Sequence, residues 1–550
     1  MQINNAILTS FYTIRCIKLQ TNINGKFYGI QALFLINLVK FSSVIPAAFL
    51  SGNLKKTGFL LNTCRNDIKT GFLQKHAGMR KKEGPLNISF DFTNMMADAI
   101  GEEHGIKRSE IESLQDKIKL IDKDLKSKRK DGILSFFDLP YQDISSISKA
   151  AEEIKIGFEN FVLIGIGGSS LGPKALHKAL NPPYYNELPK EKRKGCPKIY
   201  FLENVDPDSL NAALDAIDLR KTVFNVITKS GSTSETMANF LLVRERLVEA
   251  VGKENAKRHI IATTDSKKGS LRRLVETEGY KSFEVPEKVG GRFSVFTPVG
   301  LFPAAVIGID IKQLLDGAAY MDNLCKSENV RENPAYMSAV LQYIAATVRG
   351  KNITVLMSYA DALDEIGGWF CQLWAESLGK KNTIDGKVIN TGQTPVKAIG
   401  TNDQHSQIQL YMEGPNDKTI TFIRVEKFRN EILMPRVSID NDSLSYLGGR
   451  TINELIHAEQ TATELALTKN GRPNSRITLS EISPYTIGAL LYMFEVQTAF
   501  SGGLYNINPF DQPGVEEGKV MTYAMMGRSG YEEKKKEIEE MAKRARFTIP

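Results

Sequence analysis

The sequence predicts an α/β protein of two αβα sandwiches, each built on a doubly wound, mainly parallel sheet. Three observations carry that expectation. From residue 161 onward, short apolar runs alternate with stretches of helical apolar spacing, the pattern of parallel strands joined by crossover helices. A second set of the same kind opens near residue 334. Two loops rich in glycine and hydroxyl residues directly follow two of the strand candidates, where open α/β sheets hold ligands.

Taken in order, residues 1–78 form an extension of a different character. They hold nine Lys/Arg and one acid, Asp67, which equals the net charge of +8 carried by the 550 residues. The remaining chain is neutral, so its charge gives no reason to expect nucleic-acid binding. Residues 29–52 are largely apolar around Lys40. Three readings stay open: a mis-set start ahead of Met79, a targeting peptide, or a membrane anchor made unfavourable by Lys40. Residues 79–155 form a mainly helical segment, charged over 109–130.

Residues 156–312 form the first sandwich, with strands expected at 161–164, 199–202, 223–227 and 260–263. Residues 313–530 form the second, with a helix over 334–349, strands at 353–357 and 419–425, and helices over 452–469 and 484–500. Residues 531–550 contain a charged surface helix. Cys16, Cys64, Cys196, Cys325 and Cys371 form no Cys-x-x-Cys pair and read as reduced thiols. The six histidines show no His-x-x-x-His spacing, so no metal-site signature is present.

The 229–236 stretch reads Lys-Ser-Gly-Ser-Thr-Ser-Glu-Thr between a strand and a helix. Hydroxyls, a lysine and the free N–H groups of a helix start suit a phosphate, although such a start alone is commonly just capping. The 165–172 loop, Gly-Ile-Gly-Gly-Ser-Ser-Leu-Gly, follows another strand. It is neither a dinucleotide fingerprint, since Ser170 stands where a third glycine is needed, nor a P-loop, since Pro173 follows Gly172. Two such loops favour a small phosphorylated ligand over a nucleotide. Four further stretches offer chemistry: 289–294 with Gly291 and Arg292, 372–377 with Gln372 and Glu376 on one helix face, 400–405 with His405, and 510–519 with Gln512 and Lys519. Each alone is compatible with an ordinary ion pair or a solvated loop residue.

Together these stretches resemble the glucose-6-phosphate isomerase (phosphoglucose isomerase) family in its bacterial-like form, over residues 86–525. The 289–294 and 503–519 segments match the family's two signatures, the second through Phe510-Asp511-Gln512, Gly514-Val515-Glu516 and Lys519. The resemblance implies two sugar-isomerase (SIS) domains and an aldose–ketose isomerase that interconverts glucose 6-phosphate and fructose 6-phosphate through a cis-enediol. It implies Glu376 as the base moving the proton between C2 and C1, Arg292 as the cation facing the enediolate, His405 opening the ring and Lys519 assisting at the ring oxygen. Gly168, Ser169, Thr228, Lys229, Ser230, Thr233, Gly291, Gln372 and Gln512 match the substrate-binding positions. The same likeness implies no metal, no cofactor, a cytoplasmic enzyme without a membrane-bound body, and a homodimer in which the histidine reaches the neighbouring subunit's site. A dual phosphoglucose/phosphomannose isomerase and a non-catalytic sugar-phosphate-binding regulator are the alternatives. The second need not keep Glu376, His405 and Lys519, all of which are present.

Overall fold

The computed structural model describes residues 88–436, 442–544 and 546–549; the expectations for residues 1–78 lie outside the described residues. The protein is α/β with two five-stranded sheets. The first contains β2 (Asn160–Ile164), β3 (Lys198–Leu202), β4 (Thr222–Ile227), β5 (Ile260–Thr264) and β6 (Lys281–Glu284), all parallel in the order β3-β2-β4-β5-β6. Every residue of β2, β4 and β5 is buried, as strands covered by helices on both faces must be. Alternate residues serve opposite faces. Val162, Ile164, Phe224 and Val226 pack with Phe240 and Val243 of the Ser234–Val251 helix, while Phe161, Leu163, Val223 and Ile227 join the large central core.

The second sheet runs β1-β12-β11-β7-β10, from β1 (Ile88–Asp91), β7 (Ile353–Ser358), β10 (Thr394–Ile399), β11 (Lys418–Lys427) and β12 (Asn474–Glu481). It is parallel except for β1, which pairs antiparallel with β12. Leu356, Ile423, Val425, Ile477 and Leu479 feed the same central core, and Val355, Met357, Ile420 and Phe422 form a separate outer cluster. A short hairpin, β8 (Lys380–Asn382) with β9 (Val388–Thr391), stands apart from both sheets. The Pro484–Tyr505 helix crosses the central core. All but four of its 22 residues are buried, the mark of an interior helix and not an amphipathic surface one.

The helices expected over 334–349 and 452–469 are present with those bounds. The exposed Glu532–Ala542 helix lies within 531–544. The segment before residue 156 is mainly helical, but it also supplies a strand, β1, to the distant second sheet. No helix among the described residues is long and apolar enough to cross a membrane.

Candidate active site

The chain leaves β2 for β3 on one side and then returns to β4 on the other. The gap between the carboxyl ends of β2 and β4 is therefore the switch point of the first sheet, where crossovers diverge and leave a crevice. The 165–170 and 228–233 loops border it. In the second loop the hydroxyls of Thr228, Ser230 and Thr233 form a triangle with sides of 3.0, 3.3 and 3.4 Å. Thr233 is the N-cap of the Ser234–Val251 helix, yet its side chain makes no capping hydrogen bond. Simple capping therefore does not account for this loop. Three rotatable hydroxyls converge beside a helix start whose N–H groups carry partial positive charge, an arrangement suited to a phosphate.

Lys229 takes another course. Its ammonium donates to the backbone carbonyls of Glu287 (2.5 Å) and Val289 (2.9 Å), and burial lowers its pKa. It braces the hydroxyl loop against the segment that leads into Gly290 and Gly291. The 165–170 loop presses on that same segment. A Cβ on Gly168 would stand 2.3 Å from the Gly291 carbonyl carbon and oxygen, so only glycine permits the approach. Ser294 Oγ closes the junction by donating to the carbonyls of Gly291 (2.6 Å) and Gly168 (3.3 Å). Ser169 is half-buried on the same loop.

Arg292, on the 3-10 turn Gly291–Phe293, is 3% exposed. Its Nε donates to Ser377 Oγ (2.6 Å), Nη1 to Gln512 Oε1 (3.1 Å), and Nη2 to the carbonyls of Pro509 (2.5 Å) and Asp511 (3.0 Å). Nη1 also lies 3.6 Å from Glu376 Oε1. Burial lowers the arginine's pKa, and the charges of Glu376 and Asp511 oppose that shift. Glu376 sits in the last turn of the Asp364–Leu378 helix with a side chain 25% exposed. Gln372, one turn earlier, donates from Nε2 to Glu376 Oε2 (3.1 Å), and its own Oε1 is buried without a partner. The glutamate is thus held on one side by an amide and on the other by a fixed cation. A carboxylate in that setting can take a proton from a carbon next to a carbonyl while the guanidinium faces the oxyanion that forms.

Glu376, Arg292, Gln372, Gln512, Gly168 and Gly291 are thereby brought together, with the Thr228, Ser230 and Thr233 triangle joined to them through Lys229. His405 and Lys519 stand outside. His405 is exposed on the 3-10 turn Asn402–His405 that follows β10. Tyr359, just beyond β7, donates to Gln404 Oε1 (2.7 Å), and Asp403 accepts from the Ile399 N–H (2.7 Å). The turn is therefore fixed at the carboxyl end of the second sheet, where the Asp364–Leu378 helix begins. Glu376 is twelve residues further along that helix, roughly 18 Å at helical rise. Lys519, on the exposed Glu516–Met525 helix, pairs with Glu516 (2.8 Å). Ser377, Lys380, the Pro509 carbonyl and Asp511 hold the centre, and motif reasoning did not single them out. The one available signal was position: Lys380 falls just past the end of the helix bearing Glu376, where a cation meets free carbonyls. Among the described residues no group of three or more His, Cys, Asp or Glu is placed to hold a metal ion.

Residues 146–542 match the family model for phosphoglucose isomerase. The chain is 47% identical over 467 residues to a glucose-6-phosphate isomerase of Carboxydothermus hydrogenoformans, covering 84% of this chain and all of the relative. It is 48% identical over 384 residues to a glucose-6-phosphate isomerase of Rubrobacter xylanophilus, covering 70% of this chain and 86% of that one. A crystal structure of a hypothetical protein from Thermus thermophilus superposes with a TM-score of 0.71 at 36% identity, over 80% of this chain and all of the other. A glucose-6-phosphate isomerase from Chlamydia trachomatis gives 0.61 at 28% identity, over 70% and 72% of the two chains. With this match across most of its length, and with a cation and a carboxylate facing each other beside a hydroxyl cradle, the chain belongs to the phosphoglucose isomerase family.

Proposed function

We infer that the protein is an aldose–ketose isomerase that interconverts glucose 6-phosphate and fructose 6-phosphate through a cis-enediol. The observation that carries this reading is the Arg292–Glu376–Gln372 cluster beside the Thr228–Ser230–Thr233 hydroxyls, within a member of this family. The phosphate rests on the hydroxyls and the helix start, and Ser169 adds a donor from the opposite loop. Glu376 removes the C2 proton of the opened aldose and returns it at C1. Arg292 faces the enediolate oxygen without having to reorganise, and Gln372 and Gln512 address the sugar hydroxyls. His405 opens the ring and Lys519 assists at the ring oxygen.

The placement of His405 by the start of the Asp364–Leu378 helix, with Glu376 in its last turn, supports a homodimer in which each site receives the histidine of the other copy. We place the enzyme in the cytoplasm, in keeping with the free Cys196, Cys325 and Cys371. We divide it into SIS domains at 156–312 and 313–530, preceded by the 79–155 segment and followed by the 531–550 helix, a division supported by the two sheets.

The test is a coupled assay with fructose 6-phosphate on the purified full-length protein and on Glu376→Gln. The wild type turns the substrate over. The variant loses about 10²–10⁴-fold in kcat, the share a general base contributes, while still binding the sugar phosphate. Turnover by Glu376→Gln within threefold of wild type overturns the assignment.

A further inference from the structure

We propose that Lys380 is a positioning residue for isomerisation, setting the distance between the proton-transferring carboxylate and the cation that faces the enediolate. The proposal rests on the reading that Glu376 moves the proton. Lys380 opens β8 two residues after the Asp364–Leu378 helix ends, and its side chain is 6% exposed. Its ammonium donates to the carbonyls of Glu376 (2.7 Å) and Ser377 (2.9 Å). Those carbonyls lie in the last turn of a helix, which leaves its final C=O groups without intrahelical partners. The ammonium also forms an ion pair with Asp511 Oδ1 at 3.8 Å, beyond hydrogen-bond distance.

These contacts close a ring. Lys380 bonds the Ser377 carbonyl, the Ser377 hydroxyl accepts from Arg292 Nε, Arg292 Nη2 bonds the Asp511 carbonyl, and the Asp511 carboxylate returns to Lys380. Glu376 is covalently part of the ring through the backbone that Lys380 grips. A cation capping a helix end is ordinarily left in water. Here it is buried beside a second buried cation, Arg292, whose charge adds to burial in lowering the lysine's pKa. An ammonium placed against such a neighbour ties the helix end that bears the base to the 509–512 segment that grips the guanidinium. Without it the terminal carbonyls turn to water, the last turn frays, and Glu376 lies in that turn.

The experiment measures kcat, KM for fructose 6-phosphate, and the isotope effect with C2-deuterated glucose 6-phosphate on full-length Lys380→Met, Lys380→Arg, Asp511→Asn and Glu376→Gln. Lys381→Met, exposed next door, serves as the control. Lys380→Met lowers kcat by about 30–100-fold, the scale of an ångström-sized misplacement. KM stays within threefold because the hydroxyl cradle is untouched, and the isotope effect rises because proton transfer now limits turnover. Lys380→Arg recovers part of the loss, since its fork can span the carbonyls and Asp511. A kcat for Lys380→Met within threefold of wild type, or a loss carried by KM with no change in isotope effect, overturns the proposal. If Lys380→Met does not fold, Asp511→Asn decides. It opens the ring from its exposed side, and an unchanged kcat there overturns the proposal equally. An active Glu376→Gln would instead remove the reading beneath it, whereas an inactive Glu376→Gln with a normal Lys380→Met sinks the positioning role alone.

Discussion

Arg292 gathers the candidate site around one buried charge. Four hydrogen bonds and the ion pair with Glu376 account for its five donors, and the planar fork fixes their directions. Arg292→Lys therefore does not stand in for it, because a single ammonium cannot span Ser377, Gln512 and two carbonyls. We expect kcat to fall about 10²–10³-fold in both Arg292→Lys and Arg292→Met, the loss seen when a preorganised oxyanion donor is removed. Steady-state assays check this, and a lysine variant within tenfold of wild type would disprove it. The hydroxyl triangle answers a different measurement. Thr228→Val and Thr233→Val each remove one hydroxyl while keeping side-chain shape. Each should lower kcat/KM about 10–100-fold, from about 1.5–3 kcal/mol per hydrogen bond to a charged group, with KM carrying most of the change. Inorganic phosphate should inhibit both variants more weakly than the wild type. Much of this site was legible as motifs, because hydroxyls, glycines and paired polar residues stand close in sequence. What escaped was the clamp on Arg292. Its acceptors, Ser377 and the 509–512 segment, lie 85 to 220 residues from the arginine, and carbonyl acceptors leave no trace in residue identity.

The strands read most plainly from sequence were those whose burial is uniform. β2, β4 and β5 are apolar runs in a sheet covered on both faces. Three of the strands that escaped break that pattern for a physical reason. β6 is a short edge strand reading Lys-Ser-Phe-Glu. β10 carries Pro395, which only an edge position tolerates. β12 alternates polar and apolar residues, and its half-buried Arg476 pairs through Nη1 and Nη2 with Glu464 and Asp91. The Leu171–Leu180 helix that follows the 165–170 loop holds a pH-dependent element. Burial pushes the pKa of His177 down to about 4, and Asn181 Nδ2 lies 3.1 Å from its Nδ1, which favours the neutral ring. In the unfolded chain the imidazole titrates near 6.5. Its depressed value therefore adds stability that is complete above about pH 6.5 and is lost as pH falls toward 4. Allowing for partial exposure, the loss between pH 7 and pH 5 is about 1–2 kcal/mol. Thermal melts at the two pH values should show a drop in the wild type that is smaller in His177→Leu. Equal drops would show that His177 is not the titrating group.

On the scale of the whole molecule, the distance between His405 and Glu376 leads to a complementation test. Mixing inactive Glu376→Gln and His405→Ala subunits should restore activity, because a hybrid dimer contains one site with both native residues. No recovery, with subunit exchange verified by a tagged chain, would mean that each site is assembled within a single chain. Removing residues 1–78 should leave specific activity within twofold, since every residue assigned a role lies beyond 160, and should bring the net charge from +8 to zero. A truncated form without activity would place the extension inside the enzyme. The pairing of β1 with β12 has a consequence for synthesis. Phe90 faces Ile477 and Asp91 faces Arg476, so a strand made near the start waits for a partner made near the end. The five strands of the first sheet are all made by residue 284 and can pair while the ribosome is still at work. At about 5–20 residues per second, β1 stays unpaired for roughly 20–80 s after it is made. Ribosome-stalled chains ending near residue 350, with β6 and the Pro298–Val306 helix clear of the tunnel, should therefore protect β2–β6 from protease and leave the 88–91 segment open to cleavage. That segment closes only when the ribosome has passed residue 481 and the tunnel has released it.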